Sequence, residues 1–428
     1  MQENKKSKEE IQNEIFKLID KYFQIVEENE TEKIFPLVVP PYDAEEVKEA
    51  LESLLSTYVT MGKKCYQFEA DFAKYIGVKH GLFVNSGSSA NLIALSILSS
   101  PAIENPIQPG DEIITSAVTW STTVFPILDI GAIPVFVDSD PETMTMDVSQ
   151  IENAITKKTR AIMPVHLLGN PCDMEKIMEI AKKHKLFVIE DSCEAHGAMI
   201  GNKMVGSFGH LSTFSFFFSH HISTIEGGIV LTDNPLFMKI GQSLRAHGWI
   251  RERSDKDEIA KEFPEIDSRF LFVHRGYNFR PTEIQGAFGI HQLPKLEKFI
   301  EARIEAAYFL IKNLKKYEQY LILPKIFENA RQSWFGFAIL VKENAPFTNK
   351  ELSNYLEENS IETRQIMGGN FVEQPIMDIL PHRTINELPK SQFIFHNGIF
   401  IGLHNKLDID RLNKVVMAFD EFFANIKE

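Results

Sequence analysis

The sequence predicts an α/β protein: a large domain on a mostly parallel mixed sheet flanked by helices, followed by a smaller C-terminal α+β domain. Two observations carry this. From about residue 80, short apolar runs alternate with helical stretches, the pattern of a parallel sheet covered on both faces. From about residue 295 that alternation gives way to a long amphipathic stretch and shorter strands, which mark a second unit.

The elements follow in chain order. In MQENKKSKEEIQNEIFKLIDKYF and just beyond it, Ile11, Ile15, Leu18, Ile19, Tyr22, Phe23 and Val26 keep helical spacing. They predict a docking helix, and the charges throughout lack the apolar core of a signal peptide. FPLVVPPYDAEEVKEALESLL reads as an extended, Pro-containing entry followed by a helix. GLFVNSG, DEIITSAV, AIPVFVDSD, RAIMPVHLLG, LFVIEDS and GGIVLTD are short apolar runs bounded by turn residues, hence buried strands. SSANLIALSIL and DMEKIMEIAKKHK supply helices between them. Residues 250–270, IRERSDKDEIAKEFPEIDSRF, are charge-rich and predict a surface insertion. KLEKFIEARIEAAYFLIKNLKKY and FGFAILVK predict a long helix and a strand of the smaller domain. The expected domains are an N-terminal helical extension (1–35), a large domain (36–295) and a small C-terminal domain (296–428).

Composition narrows the partners. The 428 residues are 44% hydrophobic and 24% charged, ordinary for a globular chain. A net charge of −14 repels nucleic-acid phosphates and anionic lipid surfaces, so neither is an expected partner. One cationic pocket for a nucleotide remains compatible with it. No run of about 18 apolar residues occurs, so no membrane span is expected. The three cysteines, Cys65, Cys172 and Cys193, are scattered and odd in number, which fits a reducing, cytoplasmic setting.

Four stretches carry chemistry. In VNSGSSAN a strand ends, Gly87 permits a tight turn, and a helix opens on Ser88 and Ser89. Free N–H groups and hydroxyls there make either a phosphate cradle or an ordinary Ser-capped helix. In FVIEDSCEAHGA a strand delivers Asp191 at its C-terminal end, where open α/β sheets bind ligands. That carboxylate either pairs with a protonated pyridine nitrogen or caps the next turn. Trp120, in SAVTWSTT, follows a strand and suits either a core position or a plate against an aromatic ring. In SFFFSHHISTIEGG, Ser215 offers a further hydroxyl and EGG a tight turn. His166, His196, His210 and His221 show no metal-ligand spacing and read as pocket wall or satisfied structural histidines.

Together and in this order, these stretches resemble the DegT/DnrJ/EryC/StrS sugar aminotransferases, from about Pro36 to the C-terminus. The resemblance implies a fold-type-I, pyridoxal-phosphate-dependent aminotransferase-like architecture. In that family the lysine bonded to the cofactor lies five residues after the serine of the SF pair. Here that position is His220, and no lysine occurs between Lys203 and Lys239. The double histidine, NSGSSANL and TRQIMGGNFVEQP are similar to the 3-dehydratase branch. That branch removes the C3 hydroxyl of nucleotide-linked 4-keto-6-deoxy sugars on the way to dideoxysugars of surface polysaccharide.

Two kinds of 3-dehydratase exist. One carries a [2Fe–2S] cluster, acts on a CDP-sugar and works with a reductase. The other has no cluster and uses L-glutamate, with GDP-4-keto-6-deoxymannose the favoured substrate. Residues 250–275 lack the cysteines that would hold a cluster, so the expectation is no iron–sulfur cluster. The resemblance implies further roles. His220 acts as the base, and Glu194, three residues after Asp191 and near the 3-hydroxyl side, adds a proton relay. Gly87, Ser88, Ser89 and Ser215 hold phosphate, Trp120 stacks on the ring, Asp191 pairs with the pyridine nitrogen, and Asn278 reaches phosphate from the second subunit of a homodimer. Ser219, His247, Arg251, Arg364 and Asn370 are candidates for sugar or glutamate contacts. The alternatives are a CDP-4-keto-6-deoxyglucose 3-dehydrase-like enzyme, a nucleotide-sugar aminotransferase and a catalytically silent cofactor or sugar-nucleotide binder.

Overall fold

The computed structural model describes residues 6–28 and 35–426, the side chains of residues 26–28 excepted. The predicted N-terminal helix is α1 (Lys8–Glu28), and it lies against α2 (Ala44–Ser56). Phe23 meets Tyr42 edge-on at 6.4 Å, Tyr42 meets Phe288 at 5.3 Å, and Lys48 pairs with Asp20 at 2.6 Å. The Val26 side chain lies outside the described residues. Asp43 starts α2 with a capping box completed by Glu46, which satisfies orphan N–H groups at the helix start. After α3 (Lys63–Ile76) the large sheet begins.

Its strands are β1 (His80–Val84), β2 (Glu112–Ser116), β3 (Ile133–Val137), β4 (Thr159–Met163), β5 (Phe187–Asp191), β6 (Leu211–Ser215) and β7 (Gly228–Thr232). The small domain adds β8 (Leu321–Ile322), β9 (Gly336–Val341), β10 (Thr363–Gln365), β11 (Arg383–Thr384) and β12 (Gly398–Gly402). The eight-stranded sheet runs β1-β7-β6-β5-β4-β2-β3-β11. Every pairing from β6 to β11 is parallel, while β7 is antiparallel to both neighbours. It is the mixed, mostly parallel sheet the alternation predicts. Apart from the half-buried edge strand β11, its strands are buried on both faces, which is why most of them read as continuous apolar runs.

One central strand is not among the runs singled out by hydrophobicity. β6, LSTFS, mixes serine and threonine with apolar residues, yet all five residues are buried between β5 and β7. The hydroxyls make this possible: Ser212 donates to the Gly206 carbonyl at 2.6 Å and Thr213 to Asn91 Oδ1 at 2.6 Å.

Helices α4 (Gly87–Leu98) and α5 (Ser121–Asp129) follow β1 and β2 directly, so both start at the same edge of the sheet. Residues 250–270 form the exposed insertion, containing only a short helix, Lys256–Glu262, and one 3-10 turn. The small domain packs the helix Leu296–Leu314 and the C-terminal helix Ile409–Asn425 on an antiparallel sheet ordered β8-β9-β12-β10. Its residues 366–371 return to the large domain, where Gly368 N–H donates to Thr119 O and Phe371 N–H to Ala117 O. No helix among the described residues is long and apolar enough to cross a membrane.

Candidate active site

Strand ends and helix starts converge on a cavity of about 430 Å³. Gly87, Ser88, Trp120, Asp191, Glu194, Ser215, Ser219 and His220 all line it. Residues up to 133 positions apart in sequence thus share one wall, as expected at the carboxyl ends of parallel strands.

The α4 start is built for close approach. Ser86 is its N-cap and accepts from Ser89 N–H at 3.1 Å, while its own hydroxyl donates to Ser89 Oγ at 3.0 Å. Ser89 takes part in the cap, its hydroxyl accepting from Ser86, and it does not line the cavity, whereas Ser88 is exposed there. A Cβ on Gly87 would stand 2.4 Å from Ser215 Cβ, so glycine alone brings the two stretches together. Gly228 repeats the device: a Cβ there would meet Ser86 O at 2.4 Å. The first N–H groups of α4 lack intrahelical acceptors and face a cavity edged with hydroxyls, which suits an anion.

Asp191 ends β5 and is 5% exposed. Its Oδ2 accepts from Asn91 Nδ2 at 2.9 Å and Thr123 Oγ1 at 2.7 Å, and Oδ1 accepts the Cys193 N–H at 3.3 Å. Two further bonds orient those donors: Thr213 Oγ1 donates to Asn91 Oδ1, and Thr119 Oγ1 to Thr123 Oγ1 at 3.0 Å. Trp120 is 55% exposed on the neighbouring wall. An acceptor fixed in place, an exposed indole and an anion cradle together fit a flat, phosphate-bearing pyridine.

His220 sits half-buried against Phe335, with ring centroids 5.2 Å apart. Burial, helped by the Arg303 charge, holds its imidazole far below the ordinary value, at about 3, so the ring is neutral with a free lone pair. Glu194, which also lines the cavity, accepts the Leu168 N–H at 2.7 Å. Burial pushes its carboxyl up to about 8; the Leu168 N–H opposes that shift and the Asp191 charge adds to it. A carboxyl that holds its proton near neutral pH is a candidate acid.

Besides Ser89, five predicted residues lie off this wall. His247, Arg251 and Asn278 are exposed and form a separate cluster around Trp249 and Arg280. Arg251 covers the Trp249 ring at 4.1 Å and donates to the Arg269 carbonyl, while Arg280 reaches both His247 Nε2 and Asn278 Oδ1 at 3.3 Å. Arg364 is exposed on β10 and donates to Thr363 O. Asn370 is only 2% exposed; its Nδ2 donates to Glu373 at 3.0 Å, while its Oδ1 is buried without a partner.

The histidine expectation needs correction. None of the four lines the pocket. His166 and His210 are satisfied: His166 accepts Cys172 N–H and lies 3.3 Å from Glu190, and His210 accepts Val188 N–H. His221 is satisfied on Nε2 alone, and His196, fully buried, has a backbone hydrogen bond at Ser215. Among the described residues no group of three or more His, Cys, Asp or Glu is arranged to hold a metal.

Sequence reasoning missed Asn91, Thr123, Phe335 and Met367. The first two carried a signal, since each stands in a hydroxyl-rich helix start already singled out. Phe335 and Met367 come from the small domain, where nothing local marks them.

The model of the DegT/DnrJ/EryC1/StrS aminotransferase family matches residues 40–420. GDP-4-keto-6-deoxy-D-mannose 3-dehydratase of Yersinia pseudotuberculosis is 40% identical over 373 residues, covering 86% of this chain and 94% of its own. GDP-perosamine synthase of Caulobacter vibrioides is 32% identical over 387 residues, covering 90% and 97%. Among solved structures, a mutant GDP-4-keto-6-deoxymannose-3-dehydratase with bound GDP-perosamine superimposes with a TM-score of 0.85 at 36% identity, over 90% of this chain and 99% of that one. The E. coli GDP-4-keto-6-deoxy-D-mannose-3-dehydratase with bound hydrated PLP gives 0.82 at 35%, over 90% and 98%.

Proposed function

The chain belongs to the DegT/DnrJ/EryC1/StrS aminotransferase family, and on that premise we propose that it uses pyridoxal and pyridoxamine phosphate to remove the C3 hydroxyl of a nucleotide-linked 4-keto-6-deoxyhexose. GDP-4-keto-6-deoxymannose is the favoured substrate and L-glutamate the amine donor. The net balance is sugar plus glutamate giving the 3,6-dideoxy-4-keto sugar, 2-oxoglutarate and ammonia. The observation that carries this reading is His220, standing on the wall where the family places its lysine, with no lysine lining the cavity among the described residues.

When bound, the cofactor supplies an electron sink and an exchangeable amine. The chain does the rest. The α4 N–H groups, Ser88 and Ser215 hold phosphate, with Ser89 keeping the helix start in place. Asp191 takes the pyridine N–H and Trp120 covers the ring face. His220, neutral and unable to bond covalently to the aldehyde, removes the proton at C4′ and returns it to the departing C3 oxygen as water leaves. Glu194, still carrying its proton near neutrality, is placed to assist that departure. His247, Arg251 and Asn278 are exposed together outside this wall, which supports a role across a twofold, in the pocket of a second copy. Arg364 and Asn370 stand as sugar or glutamate contacts.

The test is the mass of the product formed from GDP-4-keto-6-deoxymannose, glutamate and pyridoxal phosphate without a reductase. A product lighter by one oxygen, with ammonia released, supports the reading. A 4-amino sugar overturns it in favour of transamination, the reading that the perosamine synthase relative keeps in view. Turnover of a CDP-linked sugar alone would correct the nucleotide and leave the chemistry standing.

A further inference from the structure

Arg303, on the helix Leu296–Leu314, is buried without a counter-ion. Its Nη1 donates to the carbonyls of Trp334 and Phe335, both at 3.2 Å, and to that of Leu403, while its Nε is buried without a bond. Burial pushes the guanidinium down to about 9, and no carboxylate among the described residues opposes that shift. Buried cations are ordinarily paired, because an unpaired charge in a protein interior is costly, and uncharged donors would satisfy neutral carbonyls. A cation kept on carbonyls alone directs attention to the segment it holds.

That segment is strained and touches both proton-handling side chains of the pocket. Trp334 sits at φ 55°, a left-handed conformation that a bulky residue keeps only where its surroundings impose it. Facing it across the domain junction, Leu168 sits at φ 54°. Two bonds lock these bends together: Ser333 N–H donates to Gly169 O and Phe335 N–H to Leu168 O, both at 3.0 Å. A Cβ on Gly169 would stand 2.5 Å from Trp334 N, so the bends meet only because that residue is glycine. From the locked pair, the Leu168 N–H reaches Glu194 at 2.7 Å and the Phe335 ring packs on His220 with centroids 5.2 Å apart. The Arg303 charge also stands second to burial among the causes that keep His220 neutral.

We propose that Arg303 is a positioning residue for the reaction: by holding the carbonyls of Trp334 and Phe335 it keeps the two bends locked, and with them Phe335 against His220 and the Leu168 N–H on Glu194. This rests on the assignment of His220 as base, and the experiment separates the two.

Hydrogen exchange read by mass spectrometry reports on the bends without turnover. In Arg303→Met, peptides carrying the amides of Leu168 and of residues 333–335 should exchange about tenfold faster or more, while those over α4 keep the wild-type rate. In turnover, Arg303→Met should lower kcat about 10- to 100-fold, part of the 10²–10⁴ a placed base supplies, with cofactor affinity unchanged. The deciding readout is the same substitution in a His220→Asn background, where most of that loss should vanish because the two residues act as a unit. Loss by the same factor in both backgrounds makes Arg303 merely structural and overturns the proposal. Wild-type kcat or wild-type exchange in Arg303→Met overturns it too. Arg303→Lys keeps the charge on a side chain one bond shorter; it should fall between Arg303→Met and wild type in both exchange and kcat, and it carries the same cycle if Arg303→Met does not fold. Full turnover in His220→Asn instead removes the base assignment, while exchange still reports whether Arg303 holds the bends.

Discussion

Asp191 is held by neighbours rather than by solvent: Asn91 and Thr123 share one of its oxygens, and the Cys193 N–H takes the other. A hydrogen bond to a charged group is worth about 1.5–3 kcal/mol, so Asn91→Leu and Thr123→Val should each weaken cofactor affinity about tenfold or more, read by absorbance titration. At the position of His220, a lysine would restore the covalent link to the cofactor's aldehyde. His220→Lys should therefore acquire a visible absorption band and, after borohydride reduction, retain the cofactor's mass; absence of both would place the pocket residue elsewhere. Glu194 carries a pH signature. Its carboxyl, about 8 in the folded chain against 4.5 unperturbed, binds a proton more tightly when folded. Stability should thus fall as pH rises from about 4.5 to about 8, and level off above that. In Glu194→Gln that part of the decline disappears, which melting temperatures across the window will show.

At the scale of elements, the site depends on how closely α4 approaches β6. Gly87→Ala puts a Cβ against Ser215 Cβ, and neither side is the tip of a flexible side chain. Overpacking of this kind costs about 1–3 kcal/mol, and here the helix start must also back away from the phosphate position. A lowered melting temperature together with at least tenfold weaker cofactor binding is expected. Thr348→Ala is the contrast. It removes the exposed capping box of the helix Asn349–Glu358, far from the cavity, and should cost about 1 kcal/mol with turnover unaffected. β6 shows why element prediction stopped short at this point. Its serine and threonine dilute the hydrophobic signal, and partners from other segments, Gly206, Asn91 and the Glu190 carbonyl, make their burial tolerable.

For the whole molecule, the pocket draws on both domains. Phe335 and Met367 reach it from the small domain, and residues 366–371 are tied to the loop after β2. The cluster of His247, Arg251 and Asn278 faces outward, and the proposal that it completes a second copy's pocket has a direct test. In a mixed dimer of His220→Asn and Asn278→Ala subunits, one site carries both changes and the other neither. Random mixing of two inactive variants should then recover about a quarter of wild-type activity. No recovery, with both variants inactive alone and mixed dimers present by mass, would place Asn278 in its own subunit's site.

What the sequence by itself determined is whatever travels in short stretches: the α/β class through periodicity, and the α4 start through its hydroxyls and glycine. Tertiary structure decided what those residues meet. Ser86 rather than Ser88 caps the helix; Asn91 and Thr123, 100 and 68 positions from Asp191, hold its carboxylate. Leu168 restrains Glu194, and an aromatic cage encloses His196. The reason is physical. Propensity and pattern act over a turn or a strand, whereas a hydrogen bond or a lost hydration shell depends on distance in space, which is set only once the sheet has closed and the helices have docked on it.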